Sequence, residues 1–471
     1  MKRTKEAIDY YRNLLRPIYK NRKLLHVADV DVGMVGVARV LESLGAAPPL
    51  LIAGNQGTSA TEFPSDLNLI TLGIVASSNM VETTRTFERS LTDLPIGIRE
   101  QIQQWDPQCE ANWVCAATLG EISSISGREK YGKRLPEWTA VEDKTTIDSF
   151  WDSIGVQRAR SRIVSVSQHD ILEIAADLDE GRGTVWAADN REGVHGGAIG
   201  IRWAKNNGEI TGVVDELREF ADQVRIAPFL EGVPMSIHGV VFPTTTAVFR
   251  PVELITLRYR DQSRFLWGGC STSYDPNVQD RVEMREVARR AGNALRENVN
   301  FRGPFSIDGV ITELGFMPTE LNPRMSGGFG PLTKGLPDLP FAPLCWAAME
   351  NEDLDYKPDL LEQMIVEHAD SERLLRGHVV TSRSFKETSQ INLARDGQEY
   401  KELCNDDVVD ATLTCGPSPT GGIIFLELNK ETSTSGALVA PEVVRALRFC
   451  DQRHGTDFGP LDCAKEVRGK S

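Results

Sequence analysis

Apolar and polar positions alternate twice between residues 301 and 330. Phe305-Ser306-Ile307-Asp308-Gly309-Val310-Ile311 and Thr319-Glu320-Leu321-Asn322 read as two strands of a hairpin, turning at Leu314-Gly315-Phe316. Side chains alternate between the faces of a strand, so Glu320, Asn322 and Arg324 share one face and Asp308 joins them from the partner strand. Helical spacing from Asp280 to Val299 leads into this hairpin. Upstream, an amphipathic helix from Ala7 to Tyr19 precedes an apolar strand from Leu24 to Val30. A helical pattern from Val35 to Leu44 and a strand from Pro49 to Ala53 complete a β-α-β opening.

A second helix runs through Trp151 to the stop at Gly155-Val156. Strands at Gly183 to Ala188 and Ile201 to Ala204 flank the glycine-rich stretch Gly193-Val194-His195-Gly196-Gly197-Ala198-Ile199-Gly200, and Thr244 to Trp267 reads as strands. Beyond the hairpin come an apolar helix (Leu339 to Met349) and an acidic linker (Glu350 to Pro358). Strand-like runs at His378 to Thr381 and Gly422 to Leu428 and a closing helix from Pro441 to His454 finish the chain. The last hundred residues hold no catalytic constellation, which leaves a lid, a substrate wall or a dimer surface open.

The length of 471 residues asks for two to four structural units rather than one core. An apolar content of 41% and a charged content of 25% describe a soluble globular chain. A net charge of −15 argues against a broad nucleic-acid or anionic-membrane surface while leaving a local basic cleft open, and no run approaches the apolar length of a membrane span. Eight scattered cysteines without a C-x-x-C pair read as reduced thiols of a cytoplasmic protein. Trp105 to Cys115 reads as core.

The polar row carries the chemistry. Asp308, Glu320 and Asn322 form an oxygen-only donor set that suits magnesium better than zinc, and Arg324 adds a fork for phosphate or carboxylate oxygens. The residues alone equally admit the solvated face of an ordinary hairpin. The turn Met325-Ser326-Gly327-Gly328-Phe329-Gly330 shifts the balance, because glycine lets backbone N–H groups approach an anion. Gly33 and Gly36 lack the spacing of a dinucleotide fingerprint. Lys144 stands ahead of a helix start that Asp143 or Thr145 can cap, where it is either a surface lysine or a phosphate ligand.

Taken in order, Asp143-Lys144, the glycine loop and Asp308…Glu320-x-Asn322-x-Arg324 resemble the ATP-grasp ligases over residues 141–350. The resemblance implies an α/β and α+β chain: an N-terminal β/α (pre-ATP-grasp) domain at 1–140, an ATP-grasp region at 141–350 with subdomains meeting at 225/226, and a C-terminal extension at 351–471. It implies ATP and Mg2+ as cofactors, with Asp308, Glu320 and Asn322 on the metal. Lys144, Gly193, His195, Gly196 and Gly197 would hold the phosphates, and Arg324 would act with Lys144 in catalysis. The segment 225–238 resembles the adenine-binding hinge, which puts Ala227, Phe229, Leu230 and Glu231 at the nucleotide.

Two departures from the family pattern stand out. Ala188 occupies the place of a second phosphate lysine, a charge that Arg191, His195 or Arg202 can supply. Ala227 and Pro234 replace two acids, with Glu231 or His238 as substitutes, although a lone strand histidine is more often structural. The layout is similar to ATP-grasp proteins with a pre-ATP-grasp domain, a group that includes the pheganomycin-type peptide ligase of antibiotic biosynthesis. That implies a ligase joining a carboxylate (a non-standard amino acid) to an amine or peptide through an acyl phosphate, as a homodimer. The alternatives are an amino-acid ligase or carboxylase of primary metabolism, and a non-catalytic nucleotide-binding module.

Overall fold

The computed structural model describes residues 2–58, 62–75, 80–116, 122–191, 196–403 and 408–468. Its first part runs α1 (Lys2–Tyr19), β1 (Leu24–Val30), α2 (Met34–Ser43), β2 (Leu50–Asn55), β3 (Asn68–Thr71), α3 (Met80–Thr92), α4 (Ile96–Trp105) and β4 (Asn112–Val114). The strands lie in the order β3-β2-β1-β4, all parallel, so two further strands extend the expected β-α-β opening. A parallel sheet needs cover on both faces. Leu25, Val27, Leu50 and Ile52 pack with Phe87 and Leu91 of α3 and Ile102 of α4, while Met34 and Ala38 of α2 meet Leu51 and Ala53.

The small hairpin β5 (Ser124–Ile125) and β6 (Arg128–Glu129) leads through α5 (Pro136–Ala140) and α6 (Ile147–Ser153) into a second sheet. That sheet is built from β7 (Arg162–Ser165), α7 (Ile171–Leu178), β8 (Thr184–Ala188), β9 (Ile201–Ala204), α8 (Asn207–Arg218) and β10 (Gln223–Pro228). It is antiparallel, in the order β7-β10-β8-β9. Ile171 and Ala175 of α7 and Val213 and Leu217 of α8 bury against its face. The Asn206 side chain caps α8 by accepting from the Gly208 amide at 2.9 Å.

The third sheet is the largest. It takes β11 (Val233–Val241), β12 (Thr246–Val248), β13 (Val252–Tyr259), β14 (Phe265–Ser271), β15 (Gly303–Thr312) and β16 (Gly315–Asn322), with α9 (Val278–Val299) between β14 and β15. Its order is β14-β13-β11-β15-β16. Met284, Val287, Ala291 and Leu295 of α9 seal one face against Ile237, Phe305 and Ile307. After it come α10 (Phe329–Thr333), α11 (Phe341–Met349) and α12 (Pro358–Ser371). The residues expected as a linker end at Pro358, which opens α12 from its first turn, a position where the missing N–H costs nothing. Tyr11, Leu15 and Tyr19, four residues apart on α1, are buried with Leu344 of α11 and Ile365 of α12, so the opening helix packs on the central body. The Tyr19 hydroxyl donates to the Pro343 carbonyl at 2.7 Å.

The last part holds β17 (Arg376–Thr381), β18 (Ser389–Asp396), β19 (Glu399–Glu402), β20 (Ala411–Ser418), β21 (Gly421–Leu428), α13 (Ala440–His454) and β22 (Leu461–Asp462). Its antiparallel sheet has the order β17-β21-β20-β18-β19, and β22 returns to pair with β13. Val443, Leu447 and Cys450 of α13 cover Leu413, Ile424 and Leu426. Glu253, buried on β13, accepts the Val439 and Ala440 amides at 2.8 and 2.9 Å, tying the start of α13 to the central sheet. Burial pushes the Glu253 carboxyl up to about 7, against those two hydrogen bonds. The seven described cysteines are free thiols, and no helix among the described residues is long and apolar enough to cross a membrane.

The second and third sheets meet at one end of β8 and β9. Trp203 stacks on Phe229 with ring centroids 4.2 Å apart, and its other neighbour is Phe265. The Trp203 amide donates to the Ser263 carbonyl at 3.0 Å, and the Lys205 ammonium reaches the Arg260 and Gln262 carbonyls at 2.9 and 3.0 Å.

Candidate active site

Three neighbouring strands carry the polar face. Ser236 of β11 lies opposite Asp308 of β15, which lies opposite Glu320 of β16; one step along, His238, Ser306 and Asn322 form a second row. The two rows make a grid of six polar side chains on the face away from α9. The hairpin is less regular than its alternation suggests. The register shifts between Asp308 and Gly309, so that Gly309 meets Pro318 and Thr319 is the extra residue of a bulge. The Thr319 hydroxyl closes that bulge onto the Asp308 carbonyl at 3.2 Å.

The charged groups are already paired with one another. Asp308 accepts the Ser236 hydroxyl on one oxygen and the Asn322 amide nitrogen, at 3.1 Å, on the other. The Asn322 carbonyl oxygen, expected on a metal, accepts from Arg324 at 2.9 Å. A carboxylate on one side and a guanidinium on the other determine which end of the amide is which. Arg324 donates through Nε to Glu142, whose second oxygen accepts from Arg134 at 2.6 Å. The Lys144 ammonium donates to Glu320 at 2.9 Å and is only 5% exposed, which removes the surface-lysine reading.

This pairing sets the electrostatics. Burial, and then the Glu320 charge, push Asp308 up to about 6, with Ser236, Arg324 and Lys144 pulling the other way. Burial also opposes ionisation of Glu142, but the Arg324 and Arg134 guanidinia outweigh it and hold that carboxyl below its ordinary range. Burial lowers His238 to about 3, so its imidazole is neutral; its Nδ1 lacks a hydrogen-bond partner. Gly328 is required beside it, because a Cβ there would come within 2.2 Å of the ring.

A cavity of about 1930 Å³ opens over this face. Lys144, Ser236, His238, Asp308, Glu320, Asn322 and Arg324 line one side, with Ser326, Gly327 and Gly328 at the edge. Gly196, Gly197, Ala198, Ile199 and Gly200 line the same cavity. Gly193 and His195, expected in the same loop, lie outside the described residues. Gly197 has φ +60 and Ala198 φ +65, so a non-glycine residue holds a left-handed conformation at the cavity wall.

Arg191 and Arg202, the arginines read as substitutes for the second phosphate lysine, are engaged elsewhere. Arg191 donates to Asp222 at 2.8 Å and to the Glu219 carbonyl. Arg202 is held by Glu216 and braces the loop through the Ile199 and Ile201 carbonyls. Neither lines the cavity, and Ala188 is buried in the sheet core.

The expected adenine hinge is the link between β10 and β11. Gly232, at φ +146, is obligatory there, since a Cβ would meet the Ile311 carbonyl oxygen at 2.0 Å. Ala227, Phe229, Leu230 and Glu231 do not line the cavity. Phe229 is held in its stack with Trp203, and Glu231 accepts from Arg182 at 2.7 Å and from Arg258 at 2.9 Å. As arranged, the Glu231 carboxylate is occupied by arginines.

Sequence reasoning missed several walls. Glu142 precedes Asp143-Lys144, but nothing in one dimension shows that it bridges two arginines. Ser236 and His238 alternate on β11 as Asp308 does on β15, a signal available in the sequence. His378, Val380, Thr381 and Ile423 bring the C-terminal sheet to the cavity, which makes part of the extension a wall of the site. Val81, Arg85 and Arg89 of α3 close the N-terminal side.

No family model and no curated protein matches this chain. Solved structures do. An N5-carboxyaminoimidazole ribonucleotide synthetase in complex with ADP is 11% identical with a TM-score of 0.50, over 92% of this chain and 98% of that one. A carboxyaminoimidazole ribonucleotide synthase from Aspergillus clavatus in complex with ATP is 10% identical, TM-score 0.50, over 92% and 99%. A biotin carboxylase from Campylobacter jejuni with a β-γ-ATP ligand is 10% identical, TM-score 0.51, over 87% and 88%. Identities this low speak to the backbone alone, and the backbone is the mixed α/β ATP-grasp fold.

Proposed function

We propose that this chain is an ATP-dependent carboxylate–amine ligase that forms an amide through an acyl phosphate and releases ADP and phosphate. One observation carries the reading: a single cavity is lined by a paired row of carboxylates, an ammonium and a guanidinium together with a glycine-bearing loop. In the finer form of this reading the acceptor is an amino acid or peptide and the product belongs to peptide natural-product, including antibiotic, chemistry. The cavity volume of about 1930 Å³ supports a donor and acceptor of that size beside a nucleotide, since a single small-molecule site occupies roughly 300–1,000 Å³. Bicarbonate, the donor in a carboxylase, needs far less room.

The residues present fit magnesium. Asp308 and Glu320 face each other on adjacent strands, and their repulsion contributes to the raised Asp308 carboxyl; a divalent cation between hard oxygens relieves that cost. Asn322 would be the third donor, through the carbonyl oxygen that now accepts from Arg324. When bound, magnesium neutralises phosphate charge as the γ-phosphoryl group moves.

The protein's own groups do the remainder. Lys144 exchanges Glu320 for phosphate oxygens, a swap of one anion for another. Arg324, oriented by Glu142, presents its guanidinium to the carboxylate being activated and then to the oxyanion formed when the amine attacks. Breakdown of that adduct expels phosphate and leaves the amide. The loop at 196–200 and the C-terminal wall keep water from the acyl phosphate.

The experiment is a trap. Incubation with ATP, magnesium, a panel of amino-acid donors and hydroxylamine should yield a hydroxamate in step with ADP. AMP and pyrophosphate as products would overturn the mechanism. ATP binding without turnover on any donor would leave a nucleotide-binding module, and strict dependence on bicarbonate would make the chain a carboxylase.

A further inference from the structure

The N-terminal wall of the cavity is unlike the rest. Helix α3 is two-sided: Thr83, Phe87 and Leu91, four residues apart, are buried, while Val81, Arg85, Glu88 and Arg89 turn to the cavity. Facing them, the segment after β6 contributes Lys130, Lys133 and Arg134. Five cations thus meet two lining carboxylates, Glu82 and Glu88, in a protein whose net charge is −15.

The pairing within this wall leaves positive charge over. Arg85 donates to Glu82 at 2.7 Å through Nη1, but its Nη2 is buried with no hydrogen-bond partner among the described residues. Arg134 uses Nη2 on Glu142, and its Nε is likewise buried and unmatched. Among the described residues no carboxylate pairs with the Arg89 guanidinium or the Lys133 ammonium; the Lys133 backbone amide donates to Glu350 at 3.2 Å, and the Arg89 side chain donates to the Thr86 hydroxyl at 3.2 Å. Burial, and then the Arg134 and Lys133 charges, hold the Lys130 ammonium below its ordinary range, with Cys115 and Glu88 opposing them. Buried donors without acceptors and crowded like charges are both costly, and one bound anion relieves both.

We propose that the α3 face with Arg85 and Arg89, together with Lys133 and Arg134, is a subsite for an anionic group of the substrate, a carboxylate or a phosphate ester, distinct from the carboxylate that is activated. Planar guanidinia suit either anion in two-pronged fashion. Glu142 joins Arg134 to Arg324, so the subsite begins one carboxylate away from the guanidinium that handles the reacting group. The inference rests on the ligase reading and narrows it: the preferred substrate carries at least one negative charge besides the reacting one, and a neutral-chain amino acid alone is a poor fit.

The test uses the full chain saturated with MgADP, so that the nucleotide site is filled, and titrates inorganic phosphate and succinate separately by calorimetry. At least one should bind, and which one tells a phosphorylated substrate from a dicarboxylate. The double variant Arg85→Glu with Lys133→Glu should weaken that binding by about tenfold or more, with MgADP affinity unchanged. Arg85→Gln with Lys133→Gln, gentler on the fold, should give a smaller loss in the same direction. Binding of neither probe to the wild type, or equal binding to both double variants, would overturn the subsite. Failure of the wild type to bind MgADP would instead remove the ligase reading, and the same titrations without nucleotide would then decide the subsite alone.

Discussion

The central sheet and the smaller antiparallel sheet both line one cavity and are built on opposite plans. On the central sheet the polar contribution is made by side chains locked in register and mostly paired: Ser236 to Asp308, Asn322 to Arg324, Lys144 to Glu320. On the smaller sheet the contribution is chiefly the loop 196–200, with Asn190 and Ile201 beside it, while Arg202 and Arg191 are tied to Glu216 and Asp222. Charge and geometry are thus divided between the halves. Substitutions on the first should change chemistry, and those on the second should change mainly affinity.

The sharpest test is Glu320→Gln, which keeps shape and removes a charge facing Asp308. Turnover, followed as ADP release, should fall roughly 10²–10³-fold with little change in melting temperature. A near-normal rate at saturating magnesium would break the side-chain half of the comparison. Arg324→Ala comes next, with a fall in hydroxamate formation of about 10²-fold. It should also cost on the order of 2 kcal/mol of stability, because Glu142 is left buried with Arg134 alone. Arg324→Lys should recover stability better than activity, since a single ammonium cannot reproduce the fork.

Glu253 checks that central-sheet charge matters by position rather than by presence. It lies on the same sheet but serves α13. Its carboxyl sits at about 7 in the folded chain against an ordinary 4.5, so the unfolded chain loses its proton first as pH rises. Stability should therefore decline between pH 4.5 and 7 and level off on either side. Glu253→Gln should flatten that slope in urea titrations without touching ADP release; parallel curves for the two proteins would refute the assignment. The smallest effect is expected at Ala198, where φ is +65. Ala198→Gly should remove about 1 kcal/mol of loop strain and alter nucleotide affinity by less than about tenfold, leaving the rate with saturating ATP unchanged. A large fall in that rate would show that the loop does more than hold.

Elements with strong alternation were readable from the residues. The strand Leu24–Val30, the strand Ile201–Ala204 and the helix ending at Val299 follow apolar periods that tertiary context does not override. Helix α12 was hidden because Pro358 and the acidic run before it look like a linker, and α3 because its cavity face is charged. The polar row at Asp308 to Arg324 was visible as a row, whereas the Thr319 bulge and the Glu142 bridge are facts of pairing that no single segment contains. The segment 225–238, read as resembling a hinge between subdomains, forms the link between β10 and β11. What fills it, the Trp203 stack and the Arg258–Glu231 pair, comes from residues far along the chain.

The stack of Trp203 with Phe229 has a mechanical consequence. The β10–β11 link, the Trp203–Ser263 hydrogen bond and the Lys205 contacts lie at the Thr184–Ala204 end of the smaller sheet's hairpin, and residues 196–200 lie at the other end, where the Asn190 amide reaches Asp143 at 3.4 Å. The hairpin is therefore a lever with its fulcrum at the tryptophan. Four residues of strand make an arm of about 13 Å, so a rotation of about ten degrees at the fulcrum carries the loop roughly 2 Å. A displacement of that size separates a hydrogen bond made from one missed. The placement of residues 196–200 at the cavity is accordingly tied to aromatic packing at the far end of the hairpin, by residues that do not line the cavity themselves.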